Sequence, residues 1–171
     1  MEHTVGLFFG SDTGITEELT HDIVEGFKEV AVKEVSEAKA EDFESYDLIL
    51  LGLSTWYDGD LQSDWEDFFE EFKTIDFTGK KVAIYGLGDQ IGYAEYFIDG
   101  VGILAEVVIE NGGEVVGKWS VEGYKHTESK AIIPNDTAYF YGLALDNDNE
   151  SELNEERINQ WIEQVKKEFN L

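Results

Sequence analysis

The sequence predicts an α/β protein, a three-layer sandwich with a mostly parallel five-stranded sheet between two layers of helices. Three observations carry this. Five short apolar runs recur along the 171 residues, four amphipathic helical patterns lie among them, and the central run is apolar at successive rather than alternate positions. A strand that is apolar all round must be covered on both faces, and strands interleaved with helices pair in parallel.

The first run, Thr4 to Phe9, is followed by Leu19, Ile23 and Phe27 at four-residue intervals, one stripe of a helix. Glu29 to Val35 reads as the second strand and Leu48 to Leu53 as the third, with Leu48-Ile49-Leu50-Leu51 as the doubly covered stretch. Trp65, Phe68, Phe69 and Phe72 then follow the i, i+3, i+4, i+7 spacing of a buried helix face. Lys81 to Leu87 is the fourth strand, and Val101, Leu104, Ala105 and Val108 repeat the helical spacing. The fifth strand reads as Glu114 to Trp119, resumed near Phe140 to Leu143. Between these pieces, Ser120 to Tyr139 is polar, contains glycine and has no helical period, so it reads as a long loop inserted into the last strand. Loops of that length inside compact domains are uncommon and often functional. Ile158, Trp161, Ile162 and Val165 mark a terminal helix, with Asn154 as its expected N-cap and Lys166 and Lys167 suited to its negative end. With no internal repeat and Pro134 as its one proline, the chain reads as a single domain over 1–171.

Charge narrows the function classes. Twelve Lys and Arg stand against 38 Asp and Glu, a net charge of −26, in a chain that is 42% apolar. Such a surface repels nucleic-acid phosphates and anionic lipid and steers the protein toward basic patches on other proteins, although solubility or a salty habitat is an equally simple reason for it. Cysteine is absent, which removes disulfides, thiolate metal sites and iron–sulfur clusters and leaves an organic cofactor for any redox chemistry. No apolar run approaches the ~20 residues of a membrane span. Met1-Glu2-His3-Thr4 lacks the basic start of a signal segment, so the expected location is the cytoplasm. His3, His21 and His126 are scattered and read as solvated or incidental; no acid–base or nucleophilic constellation is evident.

Ligands of open parallel sheets bind beyond the carboxyl ends of the strands, so the loops after the first, third and fourth strands matter most. The first is Gly10-Ser11-Asp12-Thr13-Gly14-Ile15-Thr16. Glycine allows close backbone approach, a helix start offers unpaired N–H groups, and Ser11, Thr13 and Thr16 add hydroxyls: a phosphate cradle. The lysine ending of a nucleotide P-loop and the Gly-x-Gly-x-x-Gly dinucleotide turn are both missing, which suits a single terminal phosphate. The loop holds no Lys or Arg. Charge-assisted hydrogen bonds of ~1.5–3 kcal/mol each act at contact, whereas remote repulsion is screened beyond ~8 Å, so local donors outweigh the acidic background. An ordinary turn with a helix cap is the alternative reading. The second and third loops, Ser54-Thr55-Trp56-Tyr57-Asp58-Gly59-Asp60 and Gly88-Asp89-Gln90-Ile91-Gly92-Tyr93, carry aromatics at the same edge. Two such rings can sandwich a planar heterocycle, each stack adding ~0.5–1.5 kcal/mol. Cover for the core edge, or a protein-binding surface, is the alternative. A flat ring joined to one phosphate is the shape of FMN.

At these loops the chain resembles the flavodoxin family, and the likeness extends over nearly the whole length. Gly6-Leu7-Phe8-Phe9-Gly10-Ser11-Asp12-Thr13-Gly14 resembles its phosphate loop, and Thr55-Trp56-Tyr57 with Gly59-Asp60-Leu61-Gln62-Ser63-Asp64-Trp65 its second loop. Gly86-Leu87-Gly88-Asp89-Gln90 with Tyr93-Ala94-Glu95-Tyr96-Phe97, and Gly142-Leu143-Ala144-Leu145-Asp146, resemble the later ones. The resemblance implies a flavodoxin-like sheet of order 2-1-3-4-5, and the 120–139 insertion corresponds to the feature of long-chain members. It implies FMN held at its phosphate by Ser11, Asp12 and Ile15 (these last two through backbone), Thr13, Gly14 and Thr16. Trp56 and Tyr93 would lie on opposite faces of the ring. Thr55, Asp89 and Asp146 would lie along the ribityl chain or ring edge, with Ser54, Tyr57, Asp58, Gly59, Leu87 and Gly88 completing the site.

The implied role is that of a monomeric, low-potential one-electron carrier that cycles between semiquinone and hydroquinone and turns over no substrate of its own. The Tyr57–Asp58 peptide would turn its carbonyl toward flavin N5. Its implied partners are redox proteins with basic docking faces: ferredoxin–NADP reductase, and photosystem I or nitrogenase. Ile15, Ser54 and Asp58 depart from the family pattern, where a polar or basic residue, a proline and a neutral residue are usual. An FMN-dependent quinone reductase on the same fold is the rival reading. A receiver-type signalling module fits less well, since an acidic cluster after the first strand and a Lys ending the last are not evident.

Overall fold

The computed structural model describes residues 5–12 and 14–171; His3, Thr4 and Thr13, all named above, lie outside them. In chain order the main elements are β1 (Val5–Phe9), α1 (Ile15–Glu25), β2 (Val30–Glu34), β3 (Leu48–Trp56), β4 (Asp60–Leu61), α2 (Ser63–Phe72), β5 (Lys81–Leu87) and α3 (Asp99–Glu110). They continue as β6 (Glu114–Val116), β7 (Trp119–Ser120), β8 (Ile132–Ile133), β9 (Asp136–Phe140), β10 (Leu143–Leu145), α4 (Asn147–Glu150) and α5 (Asn154–Glu168).

The parallel sheet runs β2-β1-β3-β5, and both β6 and β10 pair with the free side of β5. The strand order is therefore the expected 2-1-3-4-5, with the fifth place shared by two short pieces. Glu114–Val116 pairs with Lys81–Ala83, and Leu143–Leu145 with Tyr85–Leu87. Two glycines make the interruption possible. Gly117 takes φ 81°, and its carbonyl accepts the Trp161 indole N–H at 2.7 Å. Gly142 lies so close to the Ile84 carbonyl that a Cβ there would collide with it.

Alternation along the strands sorts the core into two faces. Leu7, Phe9, Leu50, Tyr85 and Leu145 pack with Leu19 and Ile23 of α1 and Ile158, Trp161 and Val165 of α5. Phe8, Ile49, Leu51 and Ile84 pack on the other side with Trp65, Phe68 and Phe72 of α2 and Val101, Leu104 and Val108 of α3. This is the double cover that the unbroken apolar run of β3 demands. No helix among the described residues is long and apolar enough to cross a membrane.

Four expectations need correction. The fifth strand does not extend to Trp119 or resume at Phe140, because those residues pair with each other in a separate antiparallel sheet, β7-β9-β8. The 120–139 segment is thus a small sheet of its own rather than a bare loop. Phe27 is buried but lies beyond the end of α1 at Glu25. Asn154 does not cap α5: it is the first helical residue, and its Nδ2 donates to Asn147 Oδ1 at 3.1 Å. Lys166 and Lys167 do occupy the last turn of α5.

Candidate functional site

A cleft of about 260 Å³ opens at the carboxyl edge of the sheet, where β1 and β3 diverge toward their crossovers. Its lining comes from four places: Ile15 and Thr16 of α1; Ser54, Thr55, Trp56 and Tyr57; Leu87, Gly88, Asp89 and Tyr93; and Asn147 with Asp148.

The phosphate-sized end lies at α1. Its N-cap is Gly14, at φ 86°, which has no side chain with which to satisfy the first-turn N–H groups. Ser11 Oγ accepts the Gly14 N–H at 3.0 Å and closes the loop. The Asp12 carboxylate is turned away toward α2, where Oδ1 accepts from Gln62 Nε2 at 2.9 Å and from the Ser63 hydroxyl at 2.5 Å. The nearest negative charge in the loop is thereby occupied elsewhere, leaving Ile15 and Thr16 to line the end of the cleft. A cavity with free N–H donors, a buried hydroxyl residue and no competing side-chain cap suits an anion.

The other end is aromatic. Trp56 and Tyr57 have ring centroids 6.2 Å apart, and Tyr57 meets Tyr93 edge-on at 6.4 Å and 86°. Tyr57 is 63% and Tyr93 41% exposed, far more than a core covering would leave them. Trp56 Nε1 is buried yet finds no acceptor among the described residues. A buried unpaired donor costs about 1–3 kcal/mol, a cost that an acceptor brought by a ligand would remove. Ser54, Thr55 and Trp56 prove to be strand rather than loop: β3 runs on past Leu53, and Thr55 and Trp56 pair antiparallel with β4. The turn itself is Tyr57, Asp58 and Gly59, with Tyr57 at φ 46° and Gly59 at φ 90°. Left-handed backbone is unusual for tyrosine and marks local strain.

The third loop is braced. Asp89 Oδ1 accepts the N–H groups of Ile91 at 3.0 Å and Gly92 at 2.7 Å and the Asn149 amide at 2.8 Å. Burial pushes this carboxyl group up, but the hydrogen bonds from Gly92, Asn149 and Ile91 together hold it below the ordinary carboxylate range. Gln90 is buried; it donates its N–H to Asp146 Oδ2 at 3.2 Å and its amide to Glu150, and accepts the Lys125 N–H at 2.6 Å. Glu150 is in turn paired at 3.1 Å with Arg157, the chain's one arginine, which lies 4.4 Å from the centre of the Tyr124 ring.

Ten of the expected site residues line one cleft: Ile15, Thr16, Ser54, Thr55, Trp56, Tyr57, Leu87, Gly88, Asp89 and Tyr93. Ser11, Asp12, Gly14, Asp58 and Gly59 lie in the same loops but do not line it, and Thr13 lies outside the described residues. Asp146 is fully buried and serves as the N-cap of α4, accepting the Asn149 N–H at 3.1 Å. The residues beside it, Asn147 and Asp148, reach the cleft instead. They follow the fifth strand, so the rule applied to the other strand ends points to them as well. Burial, then the charges of Asp89 and Asp146, raise the Asp148 carboxyl group. His126 is the incidental rather than the solvated kind of histidine: it stacks on Phe97 at 5.5 Å, and burial lowers its pKa.

A doubly wound parallel sheet whose cleft pairs an anion-sized helix start with an aromatic wall defines a mononucleotide-binding α/β protein. The comparisons specify the family. A family model described as Flavodoxin matches residues 7–161. A flavodoxin of Trichodesmium erythraeum is 48% identical over 171 residues, with 98% of each chain covered. One of Nostoc sp. strain PCC 7120 is 44% identical over the full length of both chains. The crystal structure of Fusobacterium nucleatum flavodoxin bound to flavin mononucleotide superposes with a TM-score of 0.91 at 32% identity, covering 98% of this chain and 99% of that one. The chain belongs to the flavodoxin family.

Proposed function

We propose that the protein binds one FMN non-covalently in this cleft and carries single electrons between redox enzymes, with no substrate turnover of its own. The observation that carries the reading is the meeting, in one cleft, of the uncapped start of α1 and the wall formed by Trp56, Tyr57 and Tyr93. Bound FMN supplies the redox chemistry, one electron at a time.

The chain's own residues bind and tune. Ile15 and Thr16 offer backbone N–H groups to the phosphate, joined by Ser11, Thr13 and Gly14, while Gln62 and Ser63 keep the Asp12 carboxylate away from it. Trp56 and Tyr93 cover the ring and exclude water. Asp89, fixed by Ile91 and Gly92, and Thr55 supply polar edges of the cleft. Asp148 places a carboxylate at the cleft, which disfavours added negative charge there and favours a low potential. Exposed Tyr57, Ile91 and Tyr93 form an apolar rim amid a surface of net charge −26. That combination suits monomeric docking to basic faces of proteins such as ferredoxin–NADP reductase, photosystem I or nitrogenase.

The test is to add FMN to FMN-free protein and then reduce it stepwise without oxygen, following visible absorbance. Stoichiometric binding followed by two separate one-electron steps is expected. Direct two-electron bleaching would favour a quinone reductase, and absence of binding would overturn the reading.

A further inference from the structure

Asp99, which opens α3, is 1% exposed although it is ionisable. The residue before it, Ile98, is held at φ 45°, a conformation that costs an L-residue roughly 1–2 kcal/mol. Neighbouring contacts must over-determine this corner for the strain to persist. They come from two sides.

On one side is the insertion. Asp99 Oδ1 accepts the Lys130 N–H at 2.8 Å. Around that bond, the Ser129 hydroxyl donates to the Phe97 carbonyl, and the Thr127 and Glu128 N–H groups both reach the Ala94 carbonyl, at 2.8 and 3.1 Å. The insertion backbone lies so close to α3 that a Cβ on Gly102 would strike the Lys130 carbonyl. On the other side is the cleft. A Cβ built on Gly59 would lie 2.7 Å from Asp99 Oδ2, so the carboxylate is seated directly against the turn that carries Tyr57. One residue later, the Gly100 N–H donates to Thr55 Oγ1 at 2.9 Å and secures the strand leading into that turn.

We infer that Asp99 is a positioning residue for the Tyr57–Gly59 turn, a strut that transmits the fixed position of the insertion at Lys130 to one wall of the cleft. The substance of the inference is in the apo fold; only its second readout rests on the FMN reading above. Burial pushes the Asp99 carboxyl group up, against the pull of the Lys130 N–H and charge, with Glu128 pushing the same way as burial. An asparagine fills the same volume without the cost of burying a charge. The Asn variant therefore separates charge from shape, and the Ala variant removes both.

The experiment is amide hydrogen exchange on FMN-free wild type, Asp99→Asn and Asp99→Ala. Asp99→Ala is expected to speed exchange at least tenfold at both 57–61 and 129–131. Asp99→Asn, which keeps both the volume against Gly59 and an acceptor for Lys130, is expected to stay near wild-type rates at both segments, and Asp99→Ser, shorter against Gly59, supplies the answer at 57–61 should the Ala variant fail to fold. Faster exchange at 129–131 with wild-type rates at 57–61 in Asp99→Ala would overturn the inference, since Asp99 would then only anchor the insertion. With FMN bound, Asp99→Ala is expected to change the separation of the two one-electron potentials by a further tenfold in their equilibrium, or ~59 mV, beyond the shift that Asp99→Asn gives by loss of charge alone. Equal separations in the two variants would count against the strut. Failure of the wild type to bind FMN would overturn the functional reading alone, because the exchange result decides the strut without it.

Discussion

The third ligand loop and the Tyr57–Gly59 turn contribute aromatic rings to the same cleft, yet they are held by different means. Residues 88–98 are fixed by buried side chains and by the insertion: Gly88 N–H donates to the Leu145 carbonyl at 3.0 Å, Gln90 ties three segments together, and the Ala94 carbonyl takes two N–H groups. The turn is a two-residue-paired hairpin with exposed Tyr57 and Asp58, left-handed backbone at Tyr57, and Asp99 beneath it. One wall is preset by many satisfied hydrogen bonds, and the other is strained and rests on few. The difference teaches that a ligand ring can be oriented by one rigid wall while the other retains the freedom to follow a change of charge in the ligand.

The largest expected effect breaks the braced wall. Gln90→Leu removes a donor to Glu150 and the acceptor of the Lys125 N–H, and should cost about 2–3 kcal/mol in urea unfolding. It should also raise the Glu150 pKa, since the hydrogen bond from Gln90 is the largest of the influences holding that group down. FMN affinity should fall with it, whereas a loss under ~0.5 kcal/mol would mean that the bracing is redundant.

Next comes the charge at the cleft. A carboxylate ~10 Å from the reduced ring contributes up to ~1.7 kcal/mol at an effective dielectric of ~20, and ~1.4 kcal/mol corresponds to ~59 mV. Asp148→Asn should therefore raise the second one-electron potential by tens of millivolts. Asp58→Asn should act in the same direction but less, because Asp58 is exposed and lies outside the cleft lining. Redox titration of both variants checks the order; a larger shift for Asp58 would reverse the assignment.

A smaller effect concerns pH. The Asp89 carboxyl group sits below its ordinary value of 3.8 in the folded protein, so the unfolded chain binds protons first as pH falls. Its contribution is present above 3.8 and is lost as pH drops through the lower folded value. Asp89→Asn should lower stability at pH 7 and lose that difference in strong acid. Equal differences at both pH values would show that the hydrogen bonds do not depend on the charge. The smallest effect is at the turn: Tyr57→Asn, which tolerates the left-handed region better, should be neutral or stabilising by under ~1 kcal/mol in the FMN-free protein. A clear destabilisation would mean that the turn is as tightly specified as the loop beside it.

Much of this was legible in the sequence, for physical reasons that also set the limit. Strands buried on both faces and helices with one buried stripe leave periodic signals, so β1, β3, β5 and the long helices stand where Phe8, Leu50, Ile84 and Trp161 predict them. Trp119 and Phe140 misled the reading of the fifth strand because apolarity reports burial and not the surface against which a residue is buried; they pair under the insertion instead. The clasp on the third loop runs largely through backbone groups of Thr127, Glu128 and Lys130, which leave no side-chain pattern. In the cleft, glycines, hydroxyls and exposed aromatics at strand ends pointed to most of the lining. The resemblance points to Asp146 and not to Asn147 or Asp148 beside it, because a motif gives a neighbourhood, whereas the α4 cap decides which side chain turns inward.

The measurement that tests the contrast most directly is amide exchange of the wild-type protein at residues 57–60 and 89–97, first without FMN and then with it. The account predicts fast exchange at the turn and slow exchange at the loop without FMN, with the turn slowing markedly when FMN binds and the loop changing little. Equal protection of the two segments without FMN, or a turn that FMN leaves unprotected, would contradict it.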